Sequence, residues 1–232
     1  MKRIKVKSEL IYVIAILLLS FSVAMISCTG FGVSMIVAPA YILSEKVSFL
    51  TFGQSEYIIQ GILFILFCVL MKKVKVVYFS SFITCILYGA VLDLWRLIIP
   101  HFNPNLYAVG SLPIGFRIVY FVCGMLLTAF SVALFFQTYL YPQVYDFFVK
   151  GISSHFNLNR TKLKTCFDMT CLVIACIMTL LLFHKFVGIG IGTIIMTCFN
   201  GMLIGFFSKM FDKHLEVAPI FEIFSKHFDL EN

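Results

Sequence analysis

Phe21-Ser22-Val23-Ala24 recurs as Phe130-Ser131-Val132-Ala133, and both copies lie late in a long apolar run. The offset of 109 also sets Val13 on Val122 and Leu17-Leu18 on Leu126-Leu127, and it brings Ser44 to Ser153. Further on, an offset of 112 sets Leu87-Tyr88-Gly89-Ala90 on Phe199-Asn200-Gly201-Met202. Each half then reads as a long helix, an amphipathic or broken segment (32–43; 142–156) and a pair of helices. A duplicated membrane unit with its working site between the halves is a recurrent plan among carriers.

The composition requires lipid as solvent. Of 232 residues, 61% are apolar, 16% aromatic and only 12% charged, with mean hydropathy +1.00, which leaves too little polar surface to cover a water-soluble globule. A hydrocarbon core of ~30 Å takes roughly 20 helical residues to cross, with backbone groups paired inside the helix. Six uncharged runs suit that purpose: 10–27, 57–71, 76–92, 118–145, 169–183 and 186–208. The expected fold is therefore all-α and polytopic, with six transmembrane helices.

The net charge of +7 follows the membrane and gives no reason to expect nucleic acid. With a cytoplasmic N-terminus and six alternating spans, the inner side collects Lys2, Arg3, Lys5, Lys7, Lys72, Lys73, Lys75, Lys150, Arg160, Lys162, Lys164, Lys209, Lys213 and Lys226. Lys46, Arg96, Arg117 and Lys185 fall outside. That bias places both termini in the cytoplasm. It also leaves three spans per half, so the second half enters from the opposite face and the repeats are inverted.

The expected organisation is a first repeat over 1–99, an external linker over 100–116, a second repeat over 117–211 and an amphipathic cytoplasmic tail over 212–232. Pro100, Asn103, Pro104, Gly110, Pro113 and Gly115 mark the linker. Ile220, Ile223, Phe224 and Phe228 form the apolar stripe of the tail. Met25-Ile26-Ser27-Cys28 comes near a lipoprotein cleavage box but has Met where a branched aliphatic is usual, and the same run is copied in mid-chain, so it is read as the first helix. The middle segments are re-entrant or interfacial. Gly30, Gly32 and Pro39 break the first, and Pro142 opens the second, where Val144, Phe148, Ile152 and Phe156 recur at helical spacing.

Ionisable and polar groups near membrane depth are the candidates for a substrate or ion pathway. Asp168, one turn after Lys164, is the first choice, and Asp93, three residues before Arg96 with which it can pair, is the second. Glu56 with Gln54 and Gln60 offers polar ligands or a helix start, and Arg117 anchors a span or meets an anion. In Gly188-Ile189-Gly190-Ile191-Gly192-Thr193, Gly188 is a candidate helix break; Gly190, Gly192 and Thr193, with Asn200 farther along, could line the pathway. This string is no phosphate loop, and Gly188/Gly192 and Gly201/Gly205 also suit close helix packing. The eight cysteines show no metal-ligand spacing, no catalytic constellation is visible, and neither an enzyme nor a cofactor is expected.

Ala38-Pro39-Ala40-Tyr41-Ile42-Leu43-Ser44, Phe52-Gly53-Gln54 and the stretch from Tyr88-Gly89 to Asp93 resemble the first half of the bacterial YitT/YczE-like integral membrane proteins. Lys164 to Asp168, the glycine string and Gly201 resemble that family's Lys-x-x-x-Asp and glycine-rich signatures, and the likeness covers about 17–207. Tyr141-Pro142-Gln143 departs from the small-residue pattern expected there. The resemblance implies a bacterial plasma-membrane protein and a transport role. The functional expectation is a secondary permease or exporter of a small organic molecule, working by alternating access with Asp168 and Asp93 coupling to protons or cations. The alternatives are a substrate-capture subunit of an ATP-driven transporter and a non-transporting assembly or sensory protein. Partners are the bilayer and an unidentified solute, with homo-oligomerisation left open.

Overall fold

The computed structural model describes residues 4–72 and 78–221. Lys2, Arg3, Lys73, Lys75 and Lys226 of the charge pattern, and Ile223, Phe224 and Phe228 of the tail stripe, lie outside the described residues. The elements run β1 (Ile4–Lys7), α1 (Ser8–Ser27), α2 (Ala38–Lys46), α3 (Phe52–Met71), α4 (Phe79–Ile98), α5 (Ile114–Phe136), α6 (Val144–His155), α7 (Arg160–Phe183), α8 (Ile191–His214) and β2 (Leu215–Ala218). Six of them, α1, α3, α4, α5, α7 and α8, are long and apolar enough to cross a membrane.

The antiparallel pair α1 and α5 forms the centre. Ser22 and Thr128 share a hydrogen bond of 2.9 Å at mid-length, Tyr12 meets Phe135 edge-on near one end, and Arg117 Nε donates to the Thr29 carbonyl at the other. Small residues make the approach close: a Cβ on Gly124 would lie 2.5 Å from the Ile26 side chain. Around this pair, α4 packs on α1 and α8 on α5, each running the same way as its neighbour.

The apolar run 118–145 does not form one helix. The α5 helix stops at Phe136, where the Thr138 hydroxyl donates to the Phe135 carbonyl, and the chain then turns back along the bundle. Thr84 Oγ1 donates to the Tyr141 carbonyl, and the Val144 amide donates to Gln60 Oε1 at 3.1 Å. Gln60 is the ninth residue of α3 and still has ~16 Å of that helix ahead of it. From there α6 runs beside the rest of α3, with Gly151 under the Phe67 ring. Of the stripe Val144, Phe148, Ile152 and Phe156, the first three are buried, Phe148 and Ile152 against α3 and α7, while Phe156, just past the end of α6, is exposed. The segment therefore turns back into the bundle, and the continuous apolar run reflects burial against α3, α4 and α7.

The first half makes a matching excursion. Residues 29–33 cross the start of α8, where Val33 N donates to the Gly188 carbonyl and Thr193 Oγ1 donates to the Val33 carbonyl. Gly32, at φ +98°, permits the crossing because a Cβ there would collide with Gly190 N and Thr193 Oγ1. The α2 helix then packs on α3 and α7 and ends level with the last turn of α7, where Lys46 Nζ donates to the Leu182 carbonyl. Thr84 and Thr193, at the original 109-residue offset, hold the carbonyls of Tyr141 and Val33, which lie 108 residues apart where the chain turns back into the bundle. Alignment of Tyr88-Gly89 with Asn200-Gly201 at 112 is not the relation these contacts follow.

Among the described residues after Phe211, no separate helix begins. The chain continues α8 to His214 and then pairs β2 in parallel with β1, Ile4 opposite Leu215 and Val6 opposite Val217. The alternation Leu-Glu-Val-Ala turns Leu215 and Val217 toward the core. Both ends of the described chain thus lie on one face. Gly124→Leu is expected to destabilise the protein by about 1–3 kcal/mol through overpacking. Gly201→Leu, with nothing within 4 Å, should stay within about 0.5 kcal/mol. Thermal unfolding in detergent checks the contrast.

Candidate functional site

The α6 helix begins inside the bundle, where its first amides need partners that water cannot supply. Gln60 meets one of them. Its side-chain oxygen accepts from Val144 N, and this fixes the amide orientation, so Nε2 points to Glu56 Oε2 at 2.9 Å and to Gln143 Oε1 at 3.4 Å. Glu56 and Gln60 are one turn apart on α3, which sets both on the face toward α6. Tyr145 donates its hydroxyl to Glu56 Oε2 at 3.0 Å, and Tyr88 of α4 is buried beside Gln143.

This cluster is closed to solvent. Glu56 and Gln60 are 0% exposed, Tyr145 2% and Gln143 7%. It is also incomplete: Glu56 Oε1, the neighbouring Ser55 Oγ and Gln143 Nε2 are buried with no hydrogen-bond partner. Among the described residues no Lys, Arg or His forms an ion pair with Glu56. The positive end of the α6 dipole is the favourable charge nearest the carboxylate. An acid in hydrocarbon costs about 3 kcal/mol or more without compensation, so its unpaired state is chemically notable.

Other candidates are engaged in holding the structure. Asp93 does not pair with Arg96; it accepts from Gly53 N at 2.9 Å and from the Thr51 hydroxyl. Gln54 and Thr51 complete a capping box at the start of α3, and Arg96 lies over the Phe52 ring. Lys164 bridges Asp168 at 3.5 Å and Asp146 at 3.2 Å, joining α7 to α6. Arg117 holds the Thr29 carbonyl and covers Phe31. The glycine string packs on 31–33: Gly192 N donates to the Phe31 carbonyl and Gly190 N to Thr193 Oγ1. Asn200 Oδ1 lacks a partner, but Asn200 lies on α8, away from the cluster. Gly30, Gly32 and Gly188 take positive φ at the chain breaks, Pro39 lies in the first turn of α2, and Pro142 directly precedes Gln143.

A family model described as a family of unknown function (DUF6198) matches residues 6–209. The chain belongs to that family. A DUF6198 assignment covers both re-entrant segments and all six long helices for nearly their full length. The uncharacterised protein YyaS of Bacillus subtilis (strain 168) is 29% identical over 203 residues, spanning 88% of this chain and 93% of the relative. No solved structure matches the chain significantly.

Sequence reasoning ranked Glu56 and Gln60 below Asp168 and missed Gln143, Tyr145, Tyr88 and Ser55 as members of the cluster. The available signal was a polar Gln143 directly after Pro142 within an uncharged run. Glu56→Gln keeps acceptors for Gln60 and Tyr145 and should leave the melting temperature unchanged or higher. Glu56→Leu orphans both donors and should cost about 2–4 kcal/mol. Asp93→Ala, which removes the acceptor of the Gly53 amide and the Thr51 hydroxyl at the start of α3, should cost about 1–2 kcal/mol. Melting temperatures of the three purified variants test these values.

Proposed function

We propose that this chain is a secondary transporter of a small organic solute, with Glu56 as the residue that couples solute movement to a proton or cation. The observation that carries the reading is a wholly buried carboxylate with one free oxygen, no cationic partner among the described residues, and a re-entrant helix end beside it. Such a group demands compensation, and an exchanging proton or cation supplies it. The sequence-based preference for Asp168 gives way because Lys164 already compensates that acid.

Alternating access between two inverted halves is the accompanying mechanism. Three observations support it: α1 antiparallel to α5, the α1/α4 and α5/α8 pairs, and the exchange by which α2 packs on α7 and α6 on α3. The halves differ where α3 packs closely on α4, through Gly53 and Gly89, while no comparable packing joins α7 to α8. The looser pair is the natural moving part. The described members of the inner-side basic set, such as Lys5, Lys7, Lys72 and Lys213, lie toward the face that carries both ends of the described chain, which favours a bacterial plasma membrane with cytoplasmic ends. The motifs shared with YitT/YczE-like proteins agree with that setting.

Proteoliposomes loaded with a pH-sensitive dye and challenged with a panel of metabolites provide the test. At least one solute should move protons through the wild-type protein, and Glu56→Gln should abolish that movement while Asp93→Asn retains it. Proton movement of undiminished size in Glu56→Gln would remove Glu56 from the mechanism.

A further inference from the structure

The free groups of the cluster specify what fits them. Glu56 Oε1 is an unpartnered acceptor, Ser55 Oγ an unpartnered hydroxyl that can donate or accept, and Gln143 Nε2 an unpartnered donor. Gln60 Nε2 contacts both Glu56 Oε2 and Gln143 Oε1, so the free carboxylate oxygen and the free amide nitrogen belong to one small region. The complement of that set is a cationic N–H group next to an acceptor oxygen. The unpartnered carboxylate oxygen favours a cation over a neutral solute.

The charges around Glu56 limit how many ions the site can hold. From α4, the groups facing it are Tyr88 and Cys85, whose thiol reaches the Glu56 carbonyl at 3.8 Å; from α6 the facing group is Tyr145. The α2 helix packs Tyr41 against Phe52 at the start of α3. The other carboxylates near these helices are occupied, Asp93 in the α3 cap and Asp146 and Asp168 on Lys164. One acid with one free oxygen accommodates a proton or an ammonium, not both.

We infer that the Glu56–Gln143 cluster binds a small organic monocation carrying an ammonium N–H and a neighbouring hydroxyl or carbonyl oxygen, in exchange for the Glu56 proton. The inference rests on the transport reading above and names its substrate class. The ammonium donates to Glu56 Oε1, the ligand oxygen accepts from Gln143 Nε2, and the carboxyl proton leaves to solvent. Binding therefore swaps one positive charge for another, and the exchange is electroneutral. Proton and cation compete for one oxygen, so each must weaken the other's affinity equally. An alkylammonium keeps its own charge across the neutral range, as a lysine does.

Ethanolamine is the probe, added to the full-length protein in lipid nanodiscs in weakly buffered solution with a pH indicator. Saturable release of roughly one proton per chain is expected, with affinity weakening about tenfold per unit of falling pH while Glu56 holds its proton. Tetramethylammonium, which has charge but no N–H, should release none, and ethylamine, which lacks the oxygen, should bind at least tenfold more weakly. Glu56→Gln should release no proton, and Gln143→Leu should reduce the preference for ethanolamine over ethylamine. No release from folded wild-type protein, equal release by tetramethylammonium, or undiminished release from Glu56→Gln overturns the inference. If ethanolamine is silent while another solute drives Glu56-dependent proton movement in liposomes, the amine assignment falls and the transport reading stands. Silence in both assays removes both.

Discussion

The hydrogen bond from the Val144 amide to Gln60 Oε1 is the contact on which the second re-entrant segment depends. A helix that begins inside a membrane bundle exposes amides to a medium without water, and each needs a partner from a neighbouring element. Gln60 provides it from the ninth position of α3, and in doing so fixes the orientation of its own amide. That orientation holds Glu56 Oε2 and Gln143 Oε1, and with Tyr145 it leaves the second oxygen of Glu56 free. A backbone requirement and a chemical site are thus the same set of atoms.

The same logic orders the rest of the molecule. Small residues let α1 and α5 approach closely, and the helices packed on them, α4 and α8, each contribute the anchor for a chain that turns back into the bundle. Thr84 holds the inbound chain after α5 and Thr193 holds the one after α1, each by a hydroxyl on a carbonyl. The halves diverge in their charges: Lys164, Asp146 and Asp168 tie α6 to α7, whereas the first half has Glu56 without a cation.

Much of the architecture was legible in the chain. The six apolar runs became six long helices because hydrophobic length is a direct consequence of bilayer thickness. The 109-residue offset, first seen in Phe-Ser-Val-Ala, reappeared in the Thr84 and Thr193 contacts. Pro142 announced a break in the second half, but the earlier end of α5, at Phe136, was not legible, because a segment buried in protein is as apolar as one that spans a membrane. The strand pairing of β1 with β2 was hidden for another reason, since its partners lie at opposite ends of the chain. At the site, spacing alone could pair Asp93 with Arg96 or Asp168 with Lys164; it could not show that Asp93 reaches across to cap α3, or that Glu56 would be left unpaired.

The central claim is that Glu56 is a buried acid whose second oxygen has no protein partner, and infrared difference spectroscopy across a pH titration addresses it most directly. The account predicts a carboxylic-acid carbonyl band that titrates, disappears in Glu56→Gln and shifts in Gln60→Leu, where one hydrogen bond to the group is lost. A titrating band that survives unchanged in Glu56→Gln would contradict it.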